Sequence, residues 1–142
     1  MLTLTKKTDY AILALSHLAS LEEDQVSNVR EIATHYDLPL ELLAKAMQCL
    51  ARDSLVVSHA GPAGGYKLAR DSSEISVADI VLAIEGPLRI ASCFDESTAH
   101  SCTALDKCTM RDPIKRLQER LFELLDGVTL AEMSQKPVGV EE

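Results

Sequence analysis

Residues 55–69 read Leu-Val-Val-Ser-His-Ala-Gly-Pro-Ala-Gly-Gly-Tyr-Lys-Leu-Ala. Two short β-prone runs flank a Gly/Pro-rich turn, the pattern of a hairpin. Two helical segments stand directly before it. Asn28-Val-Arg-Glu31 has capping-box form and opens a short helix with Val29, Ile32, Ala33 and Tyr36 turned inward. Tyr36-Asp-Leu-Pro39 breaks that helix, and a second begins at once, with Pro39 acceptable in its first turn. Two short helices joined by a tight turn are what a helix-turn-helix requires. A hairpin following such a pair is the wing of a winged-helix domain.

The second helix carries the reading face. Its apolar positions, Leu42, Leu43, Ala46, Met47 and Leu50, fall on one side; Glu41, Ala44, Lys45, Gln48 and Arg52 recur on the other. In a helix laid in the major groove, Gln48 is the best base reader, with Lys45 and Arg52 available to base or phosphate. In the wing, Gly64 and Gly65 can take positive φ and bring backbone close to a phosphate. Lys67 and Arg70 add charge nearby. Upstream, Thr5 is the expected N-cap of a helix running to about Ala19, with Lys6 and Lys7 as phosphate contacts and Asp9 one turn in.

Downstream, Ser76-Val-Ala-Asp79 caps a helix from Val77 to Ile84 that stops at Gly86-Pro87. Asp112-Pro113 then reads as an N-cap followed by Pro at the first helical position, opening a helix that runs to Asp126. Its apolar residues Ile114, Leu117, Leu121, Leu124, Leu125 and Val128 read as an a/d seam of two heptads, which favours pairing with a second copy through 112–128. A short helix is expected after Thr129. The division is therefore 1–86, a winged helix-turn-helix domain; 87–111, a cysteine-rich loop; 112–134, a dimerisation helix and short terminal helix; and 135–142, a flexible tail. The fold class is mostly α with a small β-hairpin wing.

The 142 residues suit a single core. Net charge is −8, but unevenly spread: residues 1–70 carry seven Lys/Arg against eight Asp/Glu, and 71–142 carry seven against fourteen. The half that holds the reading face is thus nearly neutral, which leaves room for a local basic surface. No apolar run is long enough to span a bilayer, and the N-terminus lacks signal-peptide order, so a cytoplasmic protein without a membrane partner is expected. Thiols stay reduced there, which favours free, metal-bound or redox-active cysteines over disulfides.

Three of the four cysteines, Cys93, Cys102 and Cys108, share the aperiodic stretch 91–110 with spacing C-x8-C-x5-C. That spacing matches neither the C-x2-C pairs of structural zinc nor a C-x-x-C redox motif. Thiolates are soft ligands for iron–sulfur clusters and for zinc, and both readings stay open. A fourth ligand could come from His100, Asp95, Glu96, Asp106 or a partner chain. Cys49 belongs to the second helix of the pair as a small core residue. His17, His35 and His59 show no spacing that joins them to the thiols. No H-E-x-x-H, G-x-S-x-G or Cys-His-Asn arrangement supports an enzyme.

Several segments together resemble the Rrf-two group of bacterial winged-helix regulators, which includes the iron–sulfur regulators IscR and NsrR. They are Leu4-Thr-Lys-Lys-Thr-Asp-Tyr-Ala11, Ile32-Ala33, Gly61-Pro-Ala-Gly-Gly-Tyr66, Ile80-Val-Leu-Ala-Ile-Glu-Gly86, the three-cysteine loop and Val128-Thr-Leu-Ala-Glu132. The likeness implies a homodimer that binds a partly palindromic double-stranded DNA site. It also implies an iron–sulfur cluster, [2Fe-2S] or [4Fe-4S], in each cysteine loop, whose state sets DNA affinity. A repressor of SUF cluster-assembly genes is the implied role; a nitric-oxide sensor of the NsrR kind is the alternative, and a cluster-free thiol-redox or zinc-stabilised regulator a further one.

Where IscR-type members place histidine three residues after the third cysteine, this chain has Arg111. Thr8-Asp9-Tyr10 matches the segment whose aspartate serves NsrR-like members from the partner subunit. The resemblance therefore implies Asp9 in trans as fourth ligand, with His100 second. Where many members carry Arg before the first wing glycine, this chain has Ala60, with His59 as the substitute.

Overall fold

The computed structural model describes residues 3–95, 97 and 102–135. Its elements are α1 (Lys6–Ala19), α2 (Val29–Tyr36), α3 (Leu40–Arg52), β1 (Val56–His59), β2 (Gly65–Leu68), α4 (Val77–Glu85), α5 (Arg111–Asp126) and α6 (Leu130–Ser134). Short 3-10 turns lie at Ser72–Glu74, Ser92–Phe94 and Leu105–Lys107. The mostly helical chain with its antiparallel two-stranded wing is the expected fold class.

Helix ends follow local chemistry. Thr5 caps α1 by accepting from the Thr8 amide. Asn28 and Glu31 form a reciprocal capping box at α2, and Ser76 and Asp79 do the same at α4. Each box satisfies two amides that the helix geometry leaves without partners. The α2–α3 turn is set by Asp37, which adopts φ 55°, ψ 48°. Aspartate tolerates the left-handed region better than most residues, and the turn closes with the Leu38 amide donating to the Ala33 carbonyl at 2.8 Å.

The core is built where α1, α2, α3 and α4 converge. Ala11, Leu15, Ile32, Leu43, Ala46, Met47, Leu50, Ile75 and Ile80 are fully buried. Leu130 of α6 is also fully buried among them. It is held by an extended bridge in which the Leu130 amide donates to the Ile75 carbonyl and the Val77 amide to the Val128 carbonyl, both at 2.8 Å. The terminal helix thus packs into the winged-helix core, although the sequence groups it with α5.

Two expectations are corrected. Asp112 does not cap α5: the helix begins at Arg111, Met110 is its N-cap without a side-chain bond, and Pro113 stands third. Proline is tolerated there because its missing N–H would have no helical partner in the first turn. In the wing, Gly64 and Gly65 do not take positive φ; Gly61 does, at 109°. The two later glycines are needed for space. A Cβ on Gly64 would run into the His59 carbonyl, and one on Gly65 would lie 2.6 Å from the Ser27 carbonyl carbon. Ser27 bridges to Tyr66 on the side of β2 opposite β1, so the wing has a third extended segment that binds it to the base of α2.

Candidate nucleic-acid interface and cysteine loop

Helix α3 buries Leu43, Ala46, Met47 and Leu50, which forces Glu41, Lys45 and Gln48 outward as exposed side chains. Lys45 and Gln48 have no ion-pair or hydrogen-bond partner among the described residues, so both are available to a ligand. Arg52 is also exposed but makes contacts within the chain. Its Nη2 donates to the Ala83 carbonyl of α4 at 3.0 Å and its Nε lies 3.2 Å from Asp53. The guanidinium at this end of α3 ties the helix to α4.

Around α3 the other cations divide in the same way. Lys6 is exposed and 3.8 Å from Asp9, Lys67 Nζ is 3.9 Å from Asp24, and Arg70 is 3.3 Å from Asp79. These are exposed pairs, each worth about 0–1 kcal/mol, weak enough for a phosphate to displace the carboxylate. Lys7 is half-buried, and His59 is exposed at the wing end of β1, opposite Gly65. Sequence reasoning missed Arg30. It is exposed in the first turn of α2, without an ion-pair partner among the described residues. The first helix of a helix-turn-helix crosses the DNA backbone, so its position one residue beyond Val29 was the available signal.

A further polar cluster sits between α1 and α2. His17 Nδ1 and the Tyr36 hydroxyl are 3.2 Å apart, and the His17 and His35 rings lie 5.4 Å centre to centre. Burial, followed by the neighbouring His35, holds His17 below the usual histidine range, with Glu31 opposing. This cluster packs α1 on α2 and is separate from the thiols.

Of the cysteine loop, Cys93 lies in the Ser92–Phe94 turn, Cys102 precedes the Leu105–Lys107 turn, and Cys108 precedes α5. All are free thiols; Cys93 and Cys102 are half-buried and Cys108 is exposed. Among the described residues no group of three His, Cys, Asp or Glu side chains is placed to hold a metal ion. Asp95 is engaged elsewhere: it accepts from the Ser97 hydroxyl at 2.6 Å and amide at 2.9 Å and sits 3.2 Å from Arg89. The Ser97 hydroxyl and amide, with Arg89 beside them, hold its carboxyl below the usual range. Asp9 is on the outer face of α1, half-exposed, beside Leu4, Ile12, Leu13, Ser16 and Met133. His100 and Glu96 lie outside the described residues. The donor chemistry, three thiols on one surface segment, fits an iron–sulfur cluster.

Helix α5 has no buried residue, and Leu117 and Leu124 are 52% and 65% exposed. Its inner side, at Gln118 and Phe122, meets Leu82, Pro87 and Leu88. Sequence reasoning had not singled out Phe122. No helix among the described residues is long and apolar enough to cross a membrane.

The family described as Rrf2, iron-dependent transcriptional regulator, matches residues 4–136. The chain is 32% identical over 132 residues to the HTH-type transcriptional regulator NsrR of Oceanobacillus iheyensis, covering 93% of this chain and 89% of the relative. Among solved structures, CymR (YrzC), the global cysteine regulator of B. subtilis, superposes with a TM-score of 0.70 at 26% identity, covering 94% of this chain and 97% of that one. IscR of T. potens gives the same TM-score and identity over 93% and 85%.

Proposed function

The chain belongs to the Rrf2 family of transcriptional regulators, and on that premise we propose that it is a cluster-dependent, DNA-binding repressor working as a homodimer. The observation that carries the reading is the placement of Cys93, Cys102 and Cys108. All three lie on the surface segment joining the winged-helix domain to α5, away from the core. Nothing in packing requires thiols there, whereas a soft metal group does.

Double-stranded DNA is engaged by α3, with Gln48 reading a base and Lys45 contacting base or phosphate. Lys6, Lys7, Arg30 and Lys67 neutralise backbone, and Gly64, Gly65 and His59 place the wing near it. The exposed seam of α5 pairs two copies, so the operator is partly palindromic. Cys93, Cys102 and Cys108 hold an iron–sulfur cluster, with Asp9 of the partner subunit as preferred fourth ligand and His100 as the second choice. The exposed place of Asp9 on α1 suits donation to another chain. When bound, the group supplies a redox- and ligand-sensitive centre; the chain's part is to hold it against the partner's reading head. Cluster-assembly (SUF) genes are the proposed target.

A second reading, the nitric-oxide-responsive kind, is favoured by the similarity to the Oceanobacillus NsrR. A third, a cluster-free thiol-redox or zinc-stabilised regulator, is favoured by the likeness to CymR. Fluorescence anisotropy with a palindromic promoter fragment, on anaerobic loaded and metal-free protein, separates the two cluster-dependent readings from the third, and adding nitric oxide to the loaded protein separates the first from the second. The proposal expects Kd to differ between the two forms. Equal Kd values, with a response to peroxide in metal-free protein, would replace it with the thiol reading.

A further inference from the structure

The cysteine loop follows Gly86, which comes immediately after the last residue of α4. That residue, Glu85, reaches across to the N-terminus of α1. Its Oε1 accepts the Thr5 amide at 2.8 Å and the Thr8 hydroxyl at 2.6 Å. Thr8 is fully buried, and its Oγ1 also lies 3.2 Å from that of Thr5. Glu85 itself is exposed, but a buried hydroxyl donating to a carboxylate is a directional contact that the charge shortens. The first turn of α1, which carries Lys6, Lys7 and Asp9, is thus fastened to the root of the loop.

The root itself is hydrogen-bonded on both sides of Pro87. Gly86 turns the chain with φ 79°, which L side chains rarely adopt, and its amide donates to the Leu82 carbonyl at 3.0 Å. The Ile90 amide donates to Gln118 Oε1 of α5 at 3.0 Å, and Arg89 pairs with Asp95 two residues past Cys93. Two sets of side-chain contacts, Asp95 with Arg89 and Glu85 with Thr5 and Thr8, are therefore joined by the short backbone stretch 85–89.

We infer that Glu85 is a positioning residue that transmits the state of the cysteine loop to the DNA-facing first turn of α1 in the same chain. The inference deepens the proposed function and rests on it for the meaning of the signal. Ligand capture by Cys93 pulls on Asp95 and Arg89, shifts the end of α4, and through the two bonds to Glu85 moves Thr5–Asp9 as a unit. Lys6 and Lys7 then change their distance to the DNA backbone. This route lies within one subunit and acts alongside donation of Asp9 to the partner.

The test uses Glu85→Ala, Thr8→Val, which keeps the buried volume, and Glu85→Gln, which keeps an acceptor oxygen. The first readout is the ratio of DNA Kd between anaerobic loaded and metal-free protein. The inference expects that ratio to fall at least about tenfold toward one in Glu85→Ala and Thr8→Val, the equivalent of about 1.4 kcal/mol of lost coupling, and to recover in Glu85→Gln. A wild-type ratio retained in both disrupting variants overturns it. A ratio of one in the wild type itself contradicts the proposed function, and the second readout then decides.

That readout is amide hydrogen exchange of metal-free protein. Glu85→Ala should speed exchange in residues 5–9 and 87–95 together while leaving α3 protected. Faster exchange at 5–9 alone, or across α3 as well, marks a purely local or a purely global stabiliser and overturns the inference.

Discussion

Replacing Gly65 with alanine tests how the wing is fixed. The added Cβ would sit 2.6 Å from the Ser27 carbonyl carbon, 2.7 Å from its oxygen and 2.8 Å from the Asn28 nitrogen. All three are backbone atoms, so no side chain can swing aside. The Ser27–Tyr66 bridge has to open, and with it go the Ser27 amide to Tyr66 carbonyl bond of 3.0 Å and the reverse bond of 2.8 Å. At about 1 kcal/mol net for each bond, the loss is about 2 kcal/mol. Reduced freedom of the unfolded chain returns about 0.4–1 kcal/mol, leaving a cost of about 1–1.5 kcal/mol. For a chain of this size that lowers Tm by about 3–6 °C. Thermal and urea unfolding should be compared with wild type at one fixed protomer concentration, because the proposed dimerisation would also shift the transition. An unchanged or raised Tm would refute the packing argument and return Gly65 to the role of a flexible phosphate contact.

Three further outcomes follow from other parts of the molecule. Leu124→Glu puts a charge on the most exposed apolar position of α5, so sedimentation should show a monomer where wild type is a dimer, with the winged-helix domain still folded. Gln48→Ala should cost about 1–3 kcal/mol of binding to the specific site and little on random DNA, whereas Lys45→Ala should weaken both and reduce the salt slope by about 1, read by anisotropy titrations at several salt concentrations. His17 is held below the usual histidine range chiefly by burial and then by His35. Its folded state therefore binds fewer protons than its unfolded state; the stability this brings is present above about pH 6.5 and is lost as pH falls through the lowered folded value. The urea midpoint should drop between pH 7 and pH 5.5, and His17→Gln should flatten that drop.

What the sequence made legible follows from local chemistry. Asn28 with Glu31, Ser76 with Asp79, and the alternation on α3 each report through contacts three or four residues apart, and those elements stand where the pattern places them. The errors involve distant partners. Gly65 reads as a backbone approach to phosphate until Ser27 is seen beside it, and the bond from Arg52 to the Ala83 carbonyl leaves no local signal. Leu130 continues the pattern of a terminal helix, yet Ile75 and Val77 draw it back into the first domain. The cysteine loop was visible as chemistry through its residue types and aperiodicity. Its assembled geometry was not, because a donor set of the proposed kind, completed by a bound group and a second chain, would leave no period or cap in one sequence.

Iron and acid-labile sulfide content after anaerobic purification tests the central claim most directly. The account predicts a coloured protein containing both, lost together when Cys93, Cys102 and Cys108 are replaced by serine while the helical spectrum stays intact. Colourless wild-type protein with neither iron nor sulfide, which cannot be reconstituted with both, would contradict it.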